Sequence, residues 1–119
     1  MAHTHDFCSR SFALARRVFE IYPKLAATSV AHAHLASQLF DSGSAIGALI
    51  EEAQVGNSKR DMAAKYAIAL REAREANYWA RLAATDPRWS EAMAPIIKET
   101  GEFVAMLTVT VRKLRSEKE

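Results

Sequence analysis

Ser58 to Thr85 reads SKRDMAAKYAIALREAREANYWARLAAT, and this stretch decides the fold. Met62, Tyr66, Ala69, Ala73, Ala76, Ala80 and Ala83 recur at alternating spacings of four and three, which on a helix keeps one narrow seam turned toward partner helices. The alanines in that seam allow neighbouring backbones to come close. A second seam beside it, Lys65, Ile68, Glu72, Glu75, Trp79 and Leu82, repeats in the same way but sets two carboxylates among apolar side chains. A carboxylate in that position has to find partners or stay in contact with water.

Three further helical patterns flank this stretch. Upstream of it, Gly56 and Asn57 suit the left-handed turn that often ends a helix, and Ser58 with Asp61 resembles a capping box. The segment before them carries the seam Leu35, Leu39, Ser42, Ile46, Leu49 and Ala53, with Thr28 and Ser29 available as N-caps. Gly43 and Gly47 lie beside that seam. Mid-helix glycine costs roughly 1 kcal/mol relative to alanine, so the pair implies a close approach by another backbone, either inside the bundle or at a subunit contact.

The first helix begins near Asp6 and bears two adjacent apolar seams. One is Cys8, Phe12, Ala15, Phe19 and Tyr22; the other is Phe7, Leu14, Val18, Ile21 and Leu25. So wide an apolar arc exceeds what a peripheral helix needs and implies several neighbours. Pro23 predicts a kink or an end near Tyr22. Downstream of Thr85, Asp86 and Pro87 read as a cap and a first helical residue. The last helix then carries Met93, Ile97, Thr100, Val104, Leu107, Val111 and Leu114, with Pro95 predicting a kink or a separate short turn.

These patterns predict an all-α, antiparallel, up-and-down four-helix bundle occupying residues 1–119 as one domain, with helices at about 6–26, 29–54, 58–85 and 87–116. The 119-residue chain is long enough to bury its core without metal or disulfides, and Cys8 has no second cysteine to pair with. No apolar run is long enough to span a membrane and no signal pattern is present, so a cytoplasmic location is expected. The net charge of +2 is distributed unevenly: +2 over residues 1–27, −3 over 28–57, +3 over 58–85 and balanced beyond.

Catalytic and metal-binding patterns are absent, and neither an enzyme, a metal site nor a cofactor is expected. No histidine has a glutamate three residues before it, the pairing a di-iron bundle requires. His32 and His34 stand two positions apart, which sends them to different sides of a helix. His3 and His5 could bind metal only loosely in an extended tail. Cys8 sits on an apolar seam as a structural thiol, and no glycine-rich nucleotide loop follows a strand.

The candidate interaction residues fall into two groups. Phe40, Gly43, Gly47, Glu72, Glu75, Tyr78 and Trp79 are candidates for an interface between subunits. The two glutamates either pair with Arg71, Arg74 or arginines of other helices at a half-exposed edge, or hydrogen-bond across helices or subunits and set register. Lys59, Arg60, Lys65, Arg71, Arg74 and Arg81 make the third helix basic. They form either a solvated face or, multiplied around a ring, a patch that attracts the phosphates of RNA or DNA.

The run from Gln38 through Ser42, Ile46 and Glu52, then Ser58, Asp61, Met62 and Lys65, the segment IALREAREANYW and the closing MLTVTVRKL together resemble the bacterial four-helix bundle proteins of the 23S rRNA intervening-sequence type. The resemblance covers Phe12 to Leu114 and implies an antiparallel bundle that assembles into a homo-oligomeric ring, typically a pentamer, of no established biochemical role. It extends to the accessory bundle protein of diversity-generating retroelements, which implies a nucleic-acid-binding adaptor as the alternative function. Where many such relatives carry arginines after the Leu39 position, this chain has Phe40 and Asp41.

Overall fold

A computed structural model describes residues 4–117. Four helices account for nearly all of them: α1 (Thr4–Ala27), α2 (Val30–Gln54), α3 (Lys59–Ala84) and α4 (Ser90–Ser116). The short connections force each helix to reverse on the one before, and consecutive helices pack along their lengths. The result is an up-and-down bundle, a rod of 50 × 20 × 20 Å. Among the described residues no helix is long and apolar enough to cross a membrane.

The caps follow local chemistry. Ser29 Oγ accepts from the His32 amide, and Ser58 Oγ accepts from the Asp61 amide, each at 3.1 Å. The end of α2 departs from expectation, because none of the described glycines has positive φ. The last turn instead tightens, with the Val55 amide donating to Glu52 O and the Gly56 amide to Ala53 O, so the terminal carbonyls are satisfied without a left-handed residue.

The start of α4 also differs from expectation. Asp86 does not cap it; the Asp86 carboxylate accepts from the Arg88 amide and guanidinium and meets His32 Nε2. Residues 86–89 form a turn closed by the Trp89 amide donating to Asp86 O, and the helix begins three residues later than the Asp-Pro pair suggests. Neither Pro23 nor Pro95 ends its helix. Both are exposed.

The alanine seam of α3 lies at the centre of the core. Tyr66, Ala69, Ala73, Ala76 and Ala80 have no exposed surface, and with side chains this small α2 and α4 both press against α3. Large groups from the other helices fill the layers: Leu14, Val18 and Leu25 of α1, Leu39, Ile46 and Ile50 of α2, and Ile96, Phe103 and Leu107 of α4. In α4 the buried register takes in Ile96 and Phe103, leaving Ile97 and Val104 at its edge.

Of the neighbouring helix pairs α1 and α4 meet least closely, and side chains bridge them. The Phe7 ring stands edge-on to Phe103 at 6.2 Å and to Tyr66 at 6.3 Å. Arg10 closes the outside of this seam. Its guanidinium donates to both Glu99 oxygens at 3.0 and 2.6 Å and to Glu102 at 2.7 Å, and it lies 5.5 Å from the Phe103 ring centre.

Candidate interaction surfaces

Gly43 and Gly47 are buried between α2 and α1 of the same chain. A Cβ on Gly47 would come within 3.1 Å of Ser11 Oγ and 3.4 Å of the Ser11 backbone, and one on Gly43 would touch Val18 at 3.5 Å. The close approach implied by their sequence is therefore made within the bundle. Gly47 permits it, because a methyl group there would push against Ser11.

The two apolar seams of α1 have opposite fates. Phe7, Leu14, Val18 and Leu25 turn inward and are buried, whereas Phe12 and Phe19 are each 65% exposed. The outer seam borders a depression of about 590 Å³ between α1 and α2, lined by Phe12, Ala15, Phe19 and Phe40, with Arg16 and Glu20 at its rim. Phe40 holds the inner edge of this face, 6.3 Å from Phe19 and 5.7 Å from Tyr22, ring centre to ring centre. Arg16 and Glu20 pair one turn apart at 3.2 Å. Phe12 and Phe19, read from sequence only as seam members, are the most exposed members of this face.

The second α3 seam lines a different groove, between α2 and α3. One end is an apolar recess of about 550 Å³ bordered by Leu35, Trp79 and Leu82. His32 closes the recess, its ring nitrogens meeting Ser29 Oγ at 2.6 Å and Asp86 at 2.9 Å; His34 borders it and is exposed. Tyr78, 51% exposed, stands edge-on to Trp79 at 5.1 Å. The Trp79 Nε1 donor is buried and meets no acceptor among the described residues.

Farther along the groove Glu72 is half-buried and Glu75 exposed. No hydrogen bond or ion pair engages either carboxylate among the described residues. Burial, with Glu75 and Asp41 adding to it and Arg71 opposing, pushes the Glu72 carboxyl above its usual range. At the far end Lys65 pairs with Glu52 at 2.9 Å.

Lys65 is held by Glu52 and Lys59 by Glu117, the latter at 2.6 Å. Arg60, Arg71, Arg74 and Arg81 are exposed and fall on one stripe of the helix, together with Tyr78. The Arg81 guanidinium donates to Asn77 Oδ1 at 2.9 Å and lies 5.8 Å from the Tyr78 ring centre.

Reactive chemistry finds little support among the described residues. No group of three metal-ligating side chains comes together there, and His3 and the His5 side chain lie outside them. Burial and the nearby Glu51 raise the Cys8 pKa, which keeps it a thiol.

Comparison with known proteins points the same way as the bundle. The 23S rRNA-intervening sequence protein family matches residues 3–109. No curated protein matches the chain. A crystal structure of a protein with unknown function from the S23 ribosomal protein family of Bacteroides thetaiotaomicron VPI-5482 superposes with a TM-score of 0.78 at 29% identity, covering 89% of this chain and 98% of that one. The four-helix architecture and a match over most of its length show that this chain belongs to the 23S rRNA-intervening sequence protein family.

Proposed function

We propose that the protein is a non-catalytic, self-assembling bundle whose working form is a homo-oligomeric ring, a pentamer in the simplest case. One observation carries this reading: Phe12 and Phe19, two large aromatics on a regular helical seam, are each 65% exposed in the single chain. Exposed apolar area of this kind is removed from water by association, at roughly 25 cal/mol per Å² buried. Native mass spectrometry of the gently purified protein tests the reading. A single multiple of 13.2 kDa supports it, and a monomer at working concentration overturns it.

A second reading, nucleic-acid binding, rests on the stripe of Arg60, Arg71, Arg74 and Arg81 with Tyr78 among them. Guanidinium groups contact phosphates and an exposed tyrosine can stack on a base. Binding of RNA or DNA by this stripe weakens steeply as salt rises, whereas apolar self-association persists. Titrating labelled RNA and single-stranded DNA across salt concentrations separates the two, and Arg71→Ala with Arg74→Ala should abolish retention if the stripe is used.

A further inference from the structure

Positive charge gathers at the end of the rod where α3 begins and α4 stops. A cavity of about 320 Å³ lies there, with Lys59, Arg60 and Arg115 on its polar side and Ala63, Ala64 and Leu114 as its apolar wall. The two helices bring different reasons for these cations. Lys113 and Arg115 stand in the last turn of α4, where a cation offsets the negative end of the helix dipole. Lys59 and Arg60 instead open α3, beside the single carboxylate of Asp61 in that first turn. The dipole is positive there, so cations are unfavourable unless an anion accompanies them.

The chain supplies such an anion. Glu117 borders the same cavity, and its Oε1 lies 2.6 Å from Lys59 Nζ. That hydrogen bond, with the charges of Lys59 and Lys113 behind it, holds the Glu117 carboxyl below its usual range. Glu117 stands just past the end of α4 with an extended backbone, φ −86° and ψ 141°. Its carboxylate can therefore leave the cavity without unwinding a helical turn.

We propose that this cavity binds a small phosphomonoester, and that Glu117 occupies the phosphate position until the ligand displaces it. Three observations select that ligand chemistry. Lys59, Arg60 and Arg115 border the cavity against the one carboxylate of Glu117, an excess that suits the charge of a phosphomonoester, about −1.5 to −2 at neutral pH. The guanidinium of an arginine presents a planar fork that meets two phosphate oxygens at once, and Arg60 and Arg115 provide two such forks. The apolar wall then receives an organic body, which a volume near the lower end of the range for ligand pockets keeps small. The site is separate from both readings above. Of the arginine stripe only Arg60 borders it, with Arg71 about three helical turns farther along α3, and neither Phe12 nor Phe19 lines it.

Isothermal titration calorimetry with phenyl phosphate, in a phosphate-free buffer of low ionic strength at neutral pH, tests the proposal. The wild-type protein should bind, and Glu117→Gln should bind about two- to fivefold tighter, the gain expected from removing one exposed competing charge. Lys59→Gln with Arg115→Gln should lose about tenfold or more in affinity. Both side chains are exposed, so this variant should keep its helical circular dichroism. Phenyl methyl phosphate, the same ring on a diester with a single charge, should bind about tenfold more weakly for want of the second charge. Absence of binding in both the wild type and Glu117→Gln, or equal binding by the Lys59 and Arg115 double variant, overturns the site. Unchanged or weaker binding by Glu117→Gln overturns the occupancy by Glu117. Equal binding of the diester overturns the choice of a phosphomonoester and assigns the cavity to phosphodiesters such as a nucleic-acid backbone.

Discussion

The alanine seam of α3 and the aromatic outer seam of α1 share one sequence pattern, with apolar residues at alternating spacings of three and four, yet they meet opposite environments. Along α3, Ala69, Ala73, Ala76 and Ala80 are wholly buried. Along α1, Phe12 and Phe19 are mostly exposed although their side chains are far larger. The difference lies in neighbours. The α3 seam points to the bundle axis, where the other helices converge, while the outer α1 seam points past the edge of α2, where Phe40 meets the rings of Phe19 and Tyr22. Periodicity marks a seam as one that wants covering; it does not say whether the same chain provides the cover.

Substitutions in the two seams should break this comparison most sharply. Ala76→Leu forces extra methyl groups into a filled seam and is expected to cost about 1–3 kcal/mol of unfolding free energy. Phe12→Ala should change monomer unfolding by less than about 0.5 kcal/mol, the usual range for surface positions, while weakening self-association. Urea unfolding at a dilution where the wild type is monomeric measures both; equal costs would mean that the outer α1 seam is packed within the chain.

Arg10→Ala probes the remaining side of α1, which is held by polar groups. The Arg10 side chain is 35% exposed, so part of its attraction to Glu99 and Glu102 is screened by water. A loss of about 1–2 kcal/mol is expected for charge-assisted hydrogen bonds at such a half-exposed site. High salt should shrink that difference, and a salt-independent loss would assign it to the packing of the arginine stem on Phe103.

The smallest expected effect is acid sensitivity at the α3–α4 turn. Hydrogen bonds from Arg88, with His32 adding to them, hold the Asp86 carboxyl well below the usual carboxylate range. A depressed carboxylate pKa contributes stability that is present above the unfolded value and lost as pH falls through the folded one. Thermal melts from neutral pH to below about pH 4 should therefore show a shallower acid-side decline for Asp86→Asn than for the wild type. Parallel curves would show that the Asp86 contacts do not contribute to folding. Glu72 carries the opposite sign: its raised pKa penalises the folded monomer at neutral pH, and the penalty is relieved on acidification.

Much of the fold could be read in the sequence because helix periodicity and capping are local. The α3 register, the caps at Ser29 and Ser58 and the inner α1 seam of Phe7, Leu14, Val18 and Leu25 all follow from spacing. The sequence reading of α4 takes the inner seam through Ile97 and Val104, although Met93, Thr100, Leu107 and Val111 fit one through Ile96 and Phe103 equally well. Packing of Phe103 against Phe7 selects the second. Among the interaction candidates, Glu72, Trp79 and the arginine stripe fall on exposed or half-buried faces of α3, whereas Gly43 and Gly47 lie inside the chain. Arg10 carried no sequence signal as a clamp, because its partners are about ninety residues away.

By itself the sequence determined that the chain folds as four amphipathic helices, roughly where each begins, and which residues want burial, since these depend on interactions within a few turns. Tertiary structure decided which of those residues obtain it. Burial of a side chain is settled by what stands opposite it, and only the packed bundle shows that Phe12 and Phe19 stay largely exposed beside Phe40, that Ser11 stands against Gly47, and that the Glu72 carboxylate is half-buried without a bonded cation among the described residues.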